Sequence, residues 1–157
     1  MIKLLTAALL TSGVALAAAA QTPQTGSDAP VDPALVAKIE QTAVLPTGAL
    51  KLADYDRYYG RATMPFLTKD SAGDHDVIAG VWLKRGAFGP VQRGAREIAG
   101  DAGAYAIVGD GNLPLVFDGG CNVITLYFDL KTQTFLFRGV RPSASQPDAS
   151  AVCNGTA

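Results

Sequence analysis

Histidine occurs once and cysteine twice in this chain of 157 residues. Structural zinc takes about four Cys, His or carboxylate ligands at set spacings, and the chain has no Cys/His set for such a site. Charge is sparse and nearly balanced, with 13 Lys and Arg against 14 Asp and Glu and a formal net charge of −1. A nucleic-acid partner leaves the footprint of a basic patch or stripe, so nucleic acid is excluded from the expected partners. No Gly-x-Ser-x-Gly nucleophile elbow occurs. Gly109-Asp110-Gly111 and Asp118-Gly119-Gly120 lack the Gly-Lys-Ser/Thr of a phosphate loop and read as turns. No metal and no cofactor is expected, and no internal repeat or heptad is present. No family resemblance is carried by these residues.

What is present begins with an export signal. Lys3 supplies one positive charge, and Leu4 to Leu16 is apolar apart from Thr6, Thr11, Ser12 and Gly13. Ala17 to Ala20 follows, and then polar Gln21-Thr22-Pro23-Gln24. A charged start, an apolar run and small residues at the cut read as a secretory signal peptide over 1–20. The alternative is a membrane anchor, but the uncharged stretch from Leu4 to Ala20 has only 17 residues, at the short limit for a span. With the cut after Ala20, no membrane anchor remains, and the loss of Lys3 leaves a net charge of −2. The expected localisation is periplasmic or secreted. That compartment is oxidising, and Cys121 and Cys153 are the only thiols, so they are expected to pair. The Ala-rich leader points first to a bacterial envelope. The sequon Asn154-Gly155-Thr156 would matter only in a eukaryotic secretory pathway.

Residues 21–30 carry no large apolar side chain and read as a mobile tail. Asp32-Pro33 opens a helix over about 33–43, with Leu35, Val36, Ile39 and Ala43 on its apolar face. A helical turn near 53–56 leads into a strand over 57–63. The polar run Lys69 to Asp76 reads as a hairpin loop before a strand over 77–83. A second helix is expected over Val91 to Ala99, and a short strand over Ala104 to Val108. The segment Leu113 to Phe117 fits a strand or one helical turn. Cys121 to Asp129 alternates with apolar residues on both faces, the pattern of a central strand. It pairs with Thr134 to Val140, and Pro142 to Ala157 reads as a tail. The expected fold is α+β, with one or two N-terminal helices packed on a mostly antiparallel sheet of four or five strands. Residues 31–157 form one domain whose C-terminal tail is tied by the disulfide.

Two sets of residues compete for function. Asp70, Asp74, His75 and Asp76 are the one carboxylate–imidazole cluster, able to hold a cation or to supply a general base. No glutamate closes a calcium loop there, and a solvated hairpin loop explains the same residues. Asp54 and Asp56, beside Arg57, read as a charged face rather than a catalytic pair. The aromatic set Tyr55, Tyr58, Tyr59 and Trp82 is the candidate binding site, since Tyr and Trp are enriched at interfaces. The alternative for it is ordinary core between sheet and helix. No catalytic set is assembled, so the expected function is an exported, non-enzymatic protein that binds an envelope or extracellular macromolecule. A small periplasmic hydrolase using His75 with a nearby carboxylate is one alternative, and a structural envelope protein is another. A buried, hydrogen-bonded His75 would favour the hydrolase. An exposed His75 beside exposed aromatics would favour binding.

Overall fold

The computed structural model describes residues 30–67, 72–88, 96–109, 112–137 and 149–155. The stretches expected to form the signal peptide, almost all of the 21–30 tail, the first half of the 91–99 helix and most of the C-terminal tail lie outside the described residues.

The expected first helix is present as α1, Pro33–Thr42. Asp32 caps it by accepting a hydrogen bond from the Ala34 N–H at 2.9 Å, and Pro33 occupies the first turn, where its missing N–H is no loss. Val36 and Ile39 bury one face. A 3-10 turn at Leu52–Asp54 then delivers the chain into β1, Tyr55–Leu67, which folds back as β2, Ala72–Lys84. These two strands pair antiparallel over thirteen residues each, from Tyr55 opposite Lys84 to Leu67 opposite Ala72. Both run further than the apolar pattern indicates. The polar residues Asp74, His75 and Asp76 belong to β2, not to a loop, because all three pair across to β1 and His75 and Asp76 find side-chain partners there. The Arg61 guanidinium, for example, binds the Asp76 carboxylate.

The rest of the sheet corrects the expected architecture. β3, Arg96–Ile98, and β4, Tyr105–Ile107, form one edge, and β4 runs parallel to β1. β5, Gly120–Asp129, pairs antiparallel with β2 on the other side. β6, Phe135–Leu136, and β7, Val152–Asn154, both pair with β5. The order is β3-β4-β1-β2-β5-β6, with β7 off this path. One helix and a seven-stranded mixed sheet therefore replace one or two helices on a four- or five-stranded, mostly antiparallel sheet. The miss has a physical cause. Strands of two or three residues are too short to show a period of two, and they are held by their neighbours rather than by their own pattern. Arg96–Ile98 is one such strand, where the spacing predicts the end of a helix.

Alternation along β1, β2 and β5 sorts the side chains onto two faces. Tyr55, Tyr59, Ile78, Trp82, Ile124, Leu126 and Phe128 share the face covered by Val36 and Ile39 of α1. Val81, Leu83 and Val123 form a smaller core on the other face, with Tyr58, Phe88, Leu113 and Val116 packed on it. β5 is buried on both sides, as its two apolar faces predict. Gly80 sits opposite Tyr59, and a Cβ there would lie 2.9 Å from Leu126 Cγ and 3.1 Å from Tyr59 Cε1. Its missing side chain is what lets the tyrosine ring lie against the sheet. Cys121 and Cys153 are joined in a disulfide with Cα atoms 4.4 Å apart, which ties β7 to the start of β5.

Candidate functional site

The four candidate aromatic residues do not form one surface. Tyr55, Tyr59 and Trp82 are fully buried on the helix side, and Tyr58 lies half-buried on the opposite face. Their polar tips serve the fold. Tyr55 donates to the Cys121 carbonyl at 2.7 Å and accepts from the Leu50 N–H at 3.0 Å. Trp82 Nε1 donates to the Tyr59 hydroxyl at 3.0 Å, which in turn donates to Glu40 Oε1 at 2.9 Å. Burial, reinforced by the Glu40 charge, pushes the Tyr59 phenol well above its ordinary pKa, so it stays a neutral donor.

This chain of hydrogen bonds ends on an ion pair that sequence reasoning missed. Arg57 Nη1 lies 2.6 Å from Glu40 Oε1, with the two side chains 0% and 7% exposed. Arg57 Nη2 donates to the Gly103 carbonyl at 2.5 Å and reaches the Ala104 carbonyl at 3.3 Å. Arg57 Nε and Nη1 have no hydrogen-bond partner among the described residues. The contact of Nη1 with Glu40 is thus a short charge contact rather than an aligned hydrogen bond. A signal for Arg57 existed. It stands two residues from both Tyr55 and Tyr59, so the strand period puts it on their buried face.

Beside this pair opens a cavity of about 520 Å³ between α1 and the 99–102 loop. Pro33, Ala34 and Ala37 of α1 form one wall, Leu52 and the Tyr105 ring contribute apolar surface, and Glu40 lines it too. Tyr105 stacks edge-on against Tyr59 at 5.6 Å, and its hydroxyl is 3.5 Å from the Pro33 carbonyl, the outer limit of a hydrogen bond. Burial, and then the Glu40 charge, raises its phenol pKa.

On the other face of the sheet, His75 Nδ1 lies 2.5 Å from Asp129 Oδ2, with side chains 16% and 2% exposed. Asp129 Oδ1 also accepts the N–H groups of Lys131 and Thr132, at 2.7 and 2.6 Å. Burial pushes this carboxyl up, but the Thr132 N–H, the His75 ring and the Lys131 N–H together hold it below its ordinary value. The Phe66 ring meets the imidazole edge-on at 5.8 Å. Asp76, one residue on, points to the opposite face of β2. Asp74 is exposed, and Asp70 lies outside the described residues. The three described members of the cluster, Asp74, His75 and Asp76, therefore do not converge on one site. Among the described residues, no group of three or more His, Cys, Asp or Glu could hold a metal ion.

The exposed large apolar residues stand elsewhere. Between β4 and β5, Leu115 is 80% and Phe117 85% exposed, whereas Leu113 and Val116 on the same segment pack onto the small core. Asn154, next to the disulfide, fixes this segment: its Nδ2 donates to the Val116 carbonyl at 2.9 Å, and its Oδ1 accepts from Thr125 Oγ1 at 2.9 Å. The amide of the sequon is thus engaged within the fold. Among the described residues, no helix is long and apolar enough to cross a membrane. Compared with known proteins, the chain matches no protein-family model, no curated protein and no solved structure.

Proposed function

We propose that this is a non-enzymatic protein of the periplasm or the extracellular medium that binds another envelope or extracellular macromolecule through Leu115 and Phe117. The observation that carries the reading is their exposure, 80% and 85%, on a segment that its neighbours pin to the sheet. An apolar side chain left in water forgoes about 1.5–3 kcal/mol of burial. Two such side chains, flanking the Val116 carbonyl that Asn154 holds, supply the anchors that protein interfaces concentrate near their centres. The disulfide supports an oxidising compartment. The test is crosslinking capture from envelope extract and culture medium with the wild type and with Leu115→Ser/Phe117→Ser. The variant should melt as the wild type does, because exposed substitutions stay within about 0.5 kcal/mol. It should lose the captured partner by at least about tenfold. Equal capture by both proteins refutes the assignment.

One observation favours the small-hydrolase alternative. His75 is mostly buried and hydrogen-bonded to Asp129 through Nδ1, the arrangement by which a carboxylate orients a general-base imidazole. A second role accounts for the same contacts, since Asp129 caps the turn after β5 and His75 fastens β2 to it. His75→Gln separates the two readings. A hydrolase loses turnover of ester or amide substrates at unchanged melting temperature, and a structural pair loses stability instead.

A further inference from the structure

We infer that the cavity between α1 and the 99–102 loop is a second binding site, separate from Leu115 and Phe117, for a small primary amine with an apolar body. Its volume, about 520 Å³, falls in the range that encloses a small organic ligand. Pro33, Ala34, Ala37 and Leu52 give it an apolar wall without long side chains to fill it. Among the described residues, the charged side chains of its lining carry one sign, Glu40 and Asp101. Glu40 is held in place before any ligand arrives, because its Oε1 accepts a hydrogen bond from the Tyr59 hydroxyl and lies in charge contact with Arg57 Nη1 at 2.6 Å. Its Oε2 makes no hydrogen bond among the described residues, and Glu40 lines the cavity, so this oxygen is the acceptor offered to a ligand. The Tyr105 hydroxyl, weakly engaged at 3.5 Å, is a second acceptor in the same lining. Arg57 joins the two walls, touching Glu40 on α1 and the Gly103 carbonyl beyond the loop.

An ammonium group fits this lining better than a carboxylate does. The described charged lining is acidic, Glu40 and Asp101, and a preformed carboxylate accepts a charge-assisted hydrogen bond. The experiment is calorimetric titration of the exported protein with 4-phenylbutylamine and with 4-phenylbutyrate, which share a body and differ in the head group. The amine should bind in the micromolar-to-millimolar range, and the acid at least about tenfold more weakly. Ala37→Trp, which fills the cavity from the half-buried side of α1, should abolish binding of the amine. Glu40→Gln should weaken it by about tenfold, where that variant folds. Equal binding of amine and acid, no binding of the amine at millimolar concentration, or unchanged binding to Ala37→Trp would each overturn the assignment.

Discussion

Glu40→Gln perturbs the structure at the point where its consequences are largest. The substitution keeps the shape and size of the side chain and removes only its charge. Arg57 then remains fully buried, with two carbonyl contacts through Nη2 and, among the described residues, no other ion-pair partner. Because the pair is shielded from solvent, with Glu40 7% and Arg57 0% exposed, little screening reduces the loss. Breaking a buried pair by removing one partner costs about 3–5 kcal/mol, since an uncompensated charge stays behind. The Trp82–Tyr59–Glu40 chain survives, because a Gln carbonyl can still accept the tyrosine proton. The loss is therefore electrostatic. Against a typical domain stability of about 5–15 kcal/mol it is severe, and for a domain of this size it lowers the melting temperature by about 10–20 °C. Arg57→Met should cost less than Glu40→Gln, because Glu40 borders the cavity and can take up water. In a double-mutant cycle, Glu40→Gln/Arg57→Met should recover at least about 2 kcal/mol relative to the sum of the single losses. Chemical denaturation of the four proteins at one pH measures the cycle. A loss below about 1 kcal/mol for Glu40→Gln, or strict additivity, would refute the account of Arg57 as a buried cation held by Glu40.

Three further outcomes are expected. Replacing Cys121 and Cys153 by serine opens a loop whose ends are 32 residues apart, which the chain-entropy model values at roughly 3–4 kcal/mol; denaturation of oxidised and serine-substituted protein should differ by that amount, and an undiminished midpoint would contradict it. Asp129 has a lowered carboxyl pKa in the folded state, so the stability it contributes is present above its unfolded pKa and is lost as the pH falls through the folded value. Asp129→Asn should therefore remove part of the loss of stability seen on acidification below about pH 4, and an acid limb identical to that of the wild type would count against the pair with His75. Gly80→Ala should destabilise by about 1–3 kcal/mol through overpacking of Leu126 and Tyr59, read as a lower thermal midpoint, and a neutral effect would show that the ring can move aside.

Some of this molecule is written locally, and the sequence alone determines those parts. Asp32-Pro33 with Val36 and Ile39 specifies the helix start and its buried face, because capping and helical spacing act within a single turn. The alternation from Cys121 to Asp129 marks a strand covered on both sides, and two cysteines leave one possible intramolecular pair. Partner choice is not local. Nothing in β4, Tyr105–Ile107, indicates that it pairs parallel to β1, and nothing in Val152–Asn154 indicates a strand rather than a tail. His75 looks like part of a polar loop until Asp129, 54 residues away in sequence, supplies its hydrogen bond and places it in β2. The aromatic set shows the same division. Period-two alternation separates Tyr58 from Tyr55 and Tyr59, but whether a face is core or surface depends on what covers it. Here α1 covers one face, and the segment carrying Leu113 and Val116 packs on the other. Arg57 and Glu40 could be buried only together, and only the tertiary structure brings a strand cation and a helix carboxylate within 2.6 Å.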